Sequence, residues 1–236
     1  MALEREEKRN ALDPTITLGI DAALNELEDD PHLACAIITG GERIFSAGAD
    51  LSVGPGPPTE RGGMVGLIHR RRTKPLIAAV EGLALGGGLE LVLCCDLVVA
   101  SANAQFGLPE PKRGLMADFG GVFRLSRMLP ANIARELVLT GDNLDAVRAE
   151  RLGFVNIITE PGGALDAALA LADRICANAP IAVRESLAIV NEAIAGDETL
   201  SWQRSDQAHS RLTKTRDFAE GIRAFLEKRS PKWSGE

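Results

Sequence analysis

The sequence predicts an α/β protein with a helical C-terminal region, and three observations carry that prediction. Short apolar runs, partly β-branched and bounded by turn residues, alternate with helical periodicity through roughly the first 160 residues. Among them, EGLALGGGLELVLCCDLVVASANAQFGLPE at 81–110 runs an apolar strand into three glycines before a helix opens. From Gly163 onward the strand signal disappears, and 165–178, 180–195, 198–209 and 215–229 all read as helices. The boundary falls near Pro161, making 1–160 the α/β core and 161–236 a helical region.

The first helix opens at Asp13 and Pro14, a capping carboxylate followed by a proline at the first helical position. Ile16, Ile20, Ala23, Leu24 and Leu27 then recur at helical spacing and carry it to about Glu28. Residues 33–39, 76–80 and 96–100 read as buried strands, and 89–95 as a buried helix. The segment VGPGPPTERGG at 53–63 is too rich in glycine and proline for regular structure and reads as a mobile lid. Arg70, Arg71, Arg72 and Lys74 read as a solvated face, and His32, His69 and His209 as scattered surface or packing residues.

Composition bounds the function. The chain has 236 residues, 45% hydrophobic and 25% charged, enough for one large globular domain. A net charge of −7 argues against nucleic acid as a main partner. Cys35, Cys94, Cys95 and Cys176 lie in apolar runs whose spacing fits neither a zinc site nor a disulfide framework. They read as reduced thiols of a cytoplasmic protein, and no metal is expected. No apolar stretch reaches membrane-spanning length, and MALEREEKRN has no apolar signal core.

The chemistry gathers in two segments. Gly86, Gly87 and Gly88 let backbone come close to a ligand, and a helix opening there points unpaired N–H groups at it. Glu90 stands about one helical turn from Gly87, among apolar residues that make a buried carboxylate hard to explain structurally. FSAGADL at 45–51 also follows a strand, so its N–H groups would supply the second half of a two-donor site for one oxygen. Duller readings exist: the glycines serve close helix–strand packing, and Glu110 is a solvated loop carboxylate. A dinucleotide site would need glycine where Leu91 stands, and no phosphate-binding G-x-x-x-x-G-K-[ST] loop occurs.

FSAGADL, ALGGGLE and AQFGLPE, in that order, resemble the enoyl-CoA hydratase/isomerase (crotonase) family, and KRNALD and EGIRAFLEKR extend the resemblance over almost the whole chain. The resemblance implies a spiral of ββα turns with a helical tail that packs in a trimer or a dimer of trimers. It implies an oxyanion hole from the N–H groups of Ala49 and Gly87, and acid/base catalysis by Glu90 and Glu110 on one water. It counts Ala47, Asp50, Leu51 and Gly86 among the substrate contacts, with Phe225 and Lys228 toward the CoA adenosine phosphate. CoA is then part of the acyl-CoA substrate, and no cofactor is expected. Some members bind RNA, which the acidic balance disfavours here. Such chains generally begin with a β-hairpin, of which only Met1 to Leu3 stand here, so disorder or compensating contacts are expected near residues 1–12.

One region departs from ordinary fatty-acyl hydratases. GLMADFGGVFRL at 114–125 places Asp118 where glycine is usual, and PEPKRG, DFGGVFRL and EKRSPKWSG are most similar to carnitinyl-CoA dehydratases. Asp118 would then hold a trimethylammonium group, with Phe119 as a cation–π face. Alternatively it caps the helix that Gly120 and Gly121 open. A hydratase or dehydratase uses both glutamates; an isomerase of the same fold typically needs only the group at Glu110; a non-catalytic CoA-binding protein would be expected to lose one or both.

Overall fold

The computed structural model describes residues 1–113, 115–195, 207, 210–211, 213–227 and 229–236, with backbone alone at Ala195, Ile222, Phe225 and Leu226. Along the chain lie α1 (Pro14–Asp29), β1 (Ala36–Thr39), β2 (Leu76–Val80), β3 (Leu83–Leu85), α2 (Gly87–Val92), β4 (Leu97–Ser101) and β5 (Gln105–Gly107). After them come α3 (Gly121–Met128), α4 (Ala131–Thr140), β6 (Asn143–Asp145), α5 (Ala146–Arg151), β7 (Ile157–Thr159), α6 (Ala164–Cys176), α7 (Pro180–Ala195) and α8 (Arg216–Leu226). The expected helix over 198–209 lies largely outside the described residues.

The cap of α1 forms as its sequence dictates: the Asp13 carboxylate accepts from the Ile16 N–H at 2.9 Å, with Pro14 behind it. A parallel sheet runs in the order β1-β2-β4-β7, and a smaller one in the order β3-β5-β6. In β2, Leu76, Ala78 and Val80 enter the main core, while Ile77 and Ala79 pack with Val99 against Ala164 and Ala168 of α6. Burial on both faces is why this strand is an unbroken apolar run. Ser46 bridges Ala84 in parallel, extending the smaller sheet. The passes β2–β3 and β4–β5 each place one strand in either sheet, so the chain winds as stacked strand–strand–helix turns.

At its start the chain supplies compensating contacts. Leu3 N–H donates to Thr39 O at 2.8 Å, Thr39 N–H to Met1 O at 3.1 Å, and the N-terminal ammonium to Ile37 O at 2.8 Å. These groups cover the free edge of β1. At the other end, Asp217 accepts from Ser234 N–H at 2.6 Å and Gly235 N–H at 2.9 Å, and Trp233 Nε1 donates to Ala177 O at 2.7 Å. The terminal segment is thereby strapped across α8 to the end of α6.

Two sequence expectations are corrected. Of the basic run only Arg71 is exposed as a solvated face requires: Arg70 is paired with Asp21 and Asn25, Arg72 with Asp96 at 2.7 Å, and Lys74 is 3% exposed. Lys74 Nζ donates to Leu27 O and Asp30 O at 2.6 and 2.7 Å, satisfying carbonyls at the end of α1. Nor is the segment 53–63 a free lid. Thr17 Oγ1 donates to Pro55 O at 2.6 Å, Thr59 Oγ1 to Asp21 at 2.6 Å, and Arg61 pairs with Asp29 at 2.7 Å, docking it along α1.

Candidate active site

The glycine run is shaped by one conformational demand. Gly86 sits at φ 54°, ψ −127°, a region closed to side chains, and turns β3 directly into α2. A Cβ there would also lie 2.9 Å from Glu110 Oε1, so this glycine leaves room for the second glutamate. Every residue of α2 is buried, Glu90 among them at 2% exposure.

Ala49 reaches the same point from the other loop. A Cβ built on Gly87 would sit 3.3 Å from Ala49 N, with Leu12 Cδ1 at 3.0 Å and Phe119 Cδ2 at 3.6 Å. The N–H groups of Ala49 and Gly87 both lack a protein acceptor among the described residues. Leu12 bonds the neighbours of Ala49, giving its N–H to Gly48 O at 2.9 Å and taking the Asp50 N–H at 3.0 Å. Backbone groups alternate sides along an extended segment, so the Ala49 N–H points away from Leu12. The two free donors share one cleft, walled by Leu12 and Phe119.

The glutamates are held differently. Glu90 Oε1 accepts from Gly121 N–H at 2.8 Å, and a Cβ on Gly121 would approach that oxygen to 2.9 Å. Burial pushes the Glu90 carboxyl up to about 7; the charges of Glu110 and Asp118 push the same way, while the backbone N–H groups of Gly121 and Phe119 oppose it. Glu110 opens the 3-10 turn Glu110–Arg113 after Pro109. Its Oε2 is buried with no hydrogen-bond partner among the described residues, and burial raises its pKa, assisted by the charge of Asp118 and opposed by its own backbone and by Arg113. A buried, unpartnered carboxylate oxygen beside two free N–H donors is where a reacting water or acyl group would sit.

Other expected site residues take varied positions. Asp118 is exposed and does not cap α3: Gly120, at φ 95°, holds the cap position with no side-chain bond. Ala47 and Gly86 give their N–H groups to Arg9 O and Gly107 O, both at 2.9 Å, so neither is a free donor. Asp50 accepts from the Ser52 hydroxyl at 2.5 Å and from Arg5 at 2.7 Å, which hold it well below the usual carboxylate range. Leu51 is 71% exposed. Phe225 lies in α8, its side chain undescribed, and Lys228 is outside the described residues. Sequence reasoning overlooked Gly121 as the partner of Glu90 and Leu12 as a wall; the glycine pair after Asp118 was the available signal for the first. Among the described residues no cluster of His, Cys, Asp and Glu is arranged to hold a metal ion, and no helix is long and apolar enough to cross a membrane.

Comparison with known proteins gives the family and the fold. The sequence model of the enoyl-CoA hydratase/isomerase family matches residues 1–236, and the chain belongs to that family of enzymes. It is 40% identical to the mevalonyl-coenzyme A hydratase sidH of Aspergillus fumigatus, over 99% of this chain and 90% of that protein. It is 39% identical to a carnitinyl-CoA dehydratase of Salmonella arizonae, over 97% of this chain and 92% of that one. A crystal structure of an enoyl-CoA hydratase from Mycobacterium tuberculosis superposes with a TM-score of 0.96 at 44% identity, covering 100% of this chain and 94% of the other. The fold is the crotonase-like spiral that the motifs implied.

Proposed function

We propose that the protein adds water across the double bond conjugated to an acyl-CoA thioester carbonyl, or removes it in reverse. The observation that carries this reading is the meeting of the free N–H groups of Ala49 and Gly87 beside the unpartnered Oε2 of Glu110. A thioester oxygen between those donors gains negative charge when water adds to the β-carbon, or in reverse when the α-carbon loses its proton, and the N–H groups stabilise that enolate until the α-carbon is protonated or the β-oxygen departs as water. Each such donor lowers the barrier by about 3 kcal/mol in comparable sites. Glu90, near pKa 7, and Glu110 then share the proton transfers around one water, one as carboxylate and one as acid. An isomerase would leave the second buried carboxylate without a use.

A second observation bears on the acyl chain. The exposed Asp118 is close enough to add its charge to both glutamates, and Phe119 lies against Gly87. This supports a carnitine-type substrate whose trimethylammonium group meets Asp118 and the Phe119 ring. Ala47, Asp50, Leu51 and Gly86 border the thioester in this reading, Phe225 and Lys228 reach the adenosine phosphate, and the helices after 161 assemble the trimer. Absorbance loss of the conjugated thioester, followed with crotonyl-CoA and crotonobetainyl-CoA in parallel, is the test. Turnover of either supports hydration, and preference for crotonobetainyl-CoA that disappears in Asp118→Asn supports the cationic chain. Turnover of neither would refute the hydratase reading.

A further inference from the structure

We infer that Asn10 and Ser46 are positioning residues for the thioester carbonyl, holding the two oxyanion donors in one frame. The inference rests on the two-donor reading above. Ser46 is a joint between the two loops. Its backbone pairs with β3, with Ser46 N–H donating to Leu83 O at 2.9 Å and Leu85 N–H to Ser46 O at 3.0 Å, and β3 leads directly to Gly87. Its hydroxyl faces the other loop, donating to Asn10 O at 2.7 Å and accepting from Gly48 N–H at 3.1 Å. One residue therefore connects the approach to Gly87, through its backbone, with the approach to Ala49, through its hydroxyl.

Asn10 fixes the opposite wall. Arg9 and Asn10 are both left-handed, at φ 54° and 51°, a conformation that asparagine tolerates better than most residues. The Asn10 amide lies within hydrogen-bonding distance of Gly40 O, Ile44 O and Phe45 O at 2.8, 3.0 and 3.1 Å, and its Oδ1 accepts from Arg5 N–H at 3.0 Å. These bonds tie the residues before Leu12 to the segment 40–45 that leads from β1 into the Ala49 loop. Leu12 then occupies the backbone groups on either side of Ala49 and leaves the Ala49 N–H for the cleft. Asn10 and Ser46 are both 0% exposed, so they act on the substrate only through Ala49 and Gly87. A displacement of one donor by about 1 Å is enough to cost about a hundredfold in rate.

The test compares wild type with Ser46→Ala and Asn10→Gly, the latter keeping a residue at ease in the left-handed region. Three readouts are taken: crotonyl-CoA hydration, the ultraviolet band of bound acetoacetyl-CoA enolate, and thermal unfolding, with assays well below every midpoint. The expected result is a kcat lower by about 10- to 100-fold, KM within about threefold, and an enolate band moved toward that of free ligand. A kcat within about twofold of wild type, or a lower kcat with an unmoved band, would overturn the inference. Wild-type protein that neither hydrates crotonyl-CoA nor perturbs the band would remove the two-donor reading and this inference with it.

Discussion

Glu90 is a carboxyl group that the folded protein prefers to keep protonated, because burial outweighs the backbone N–H donors at Gly121 and Phe119. Its folded pKa of about 7 lies above the unfolded value, so its contribution to stability is fully present below about pH 4 and is lost as pH rises through 7. The difference amounts to roughly 3 kcal/mol. Glu90→Gln, which mimics the protonated acid, is expected to match wild type near pH 5 and to be more stable by about that amount near pH 8 in urea unfolding. The same titration predicts a transition near pH 7 in kcat/KM that Glu90→Gln abolishes. Asp118 raises the Glu90 pKa by like-charge repulsion, so Asp118→Asn is expected to move that transition to lower pH; an unmoved transition would place Asp118 outside the reacting centre's field. Glu90 and Glu110 were legible in the sequence because each stands at a fixed offset in a motif. Asn10 and Ser46 were not, since a buried polar side chain bonded to distant carbonyls leaves no periodicity to read.

Elements show the same division between pattern and partner. The α1 helix was legible from its capping pair and apolar spacing, which are local properties. The docking of 53–63 was not, because glycine and proline content reports irregular backbone and says nothing of what holds it. Asp21 carries much of that attachment, accepting from Thr59 at 2.6 Å and pairing with Arg70, whose side chain is 2% exposed. Asp21→Ala leaves that guanidinium buried without its carboxylate, and a loss of about 3 kcal/mol is expected in denaturant unfolding. Faster proteolytic cleavage within 53–63 is expected alongside it. A loss under about 1 kcal/mol would mean that Asn25 and backbone carbonyls satisfy Arg70 alone.

Across the whole molecule, two sheets joined by repeated strand–strand–helix turns bring Ala49, Gly87 with Glu90, and Glu110 together from three different segments. Parallel β1-β2-β4 order sets the strands side by side, and the smaller sheet carries residue 46, β3 and β5 toward a common end. Motif order made this convergence predictable; the walls of the cleft depended on packing between segments far apart in sequence. The most direct measurement is steady-state hydration of crotonyl-CoA by wild type and Glu110→Gln, with acyl-CoA binding measured in parallel. Wild-type turnover, with kcat in the variant lower by about a thousandfold and binding nearly unchanged, is the expected result. Full activity in Glu110→Gln would contradict a reaction run by two carboxylates at this site.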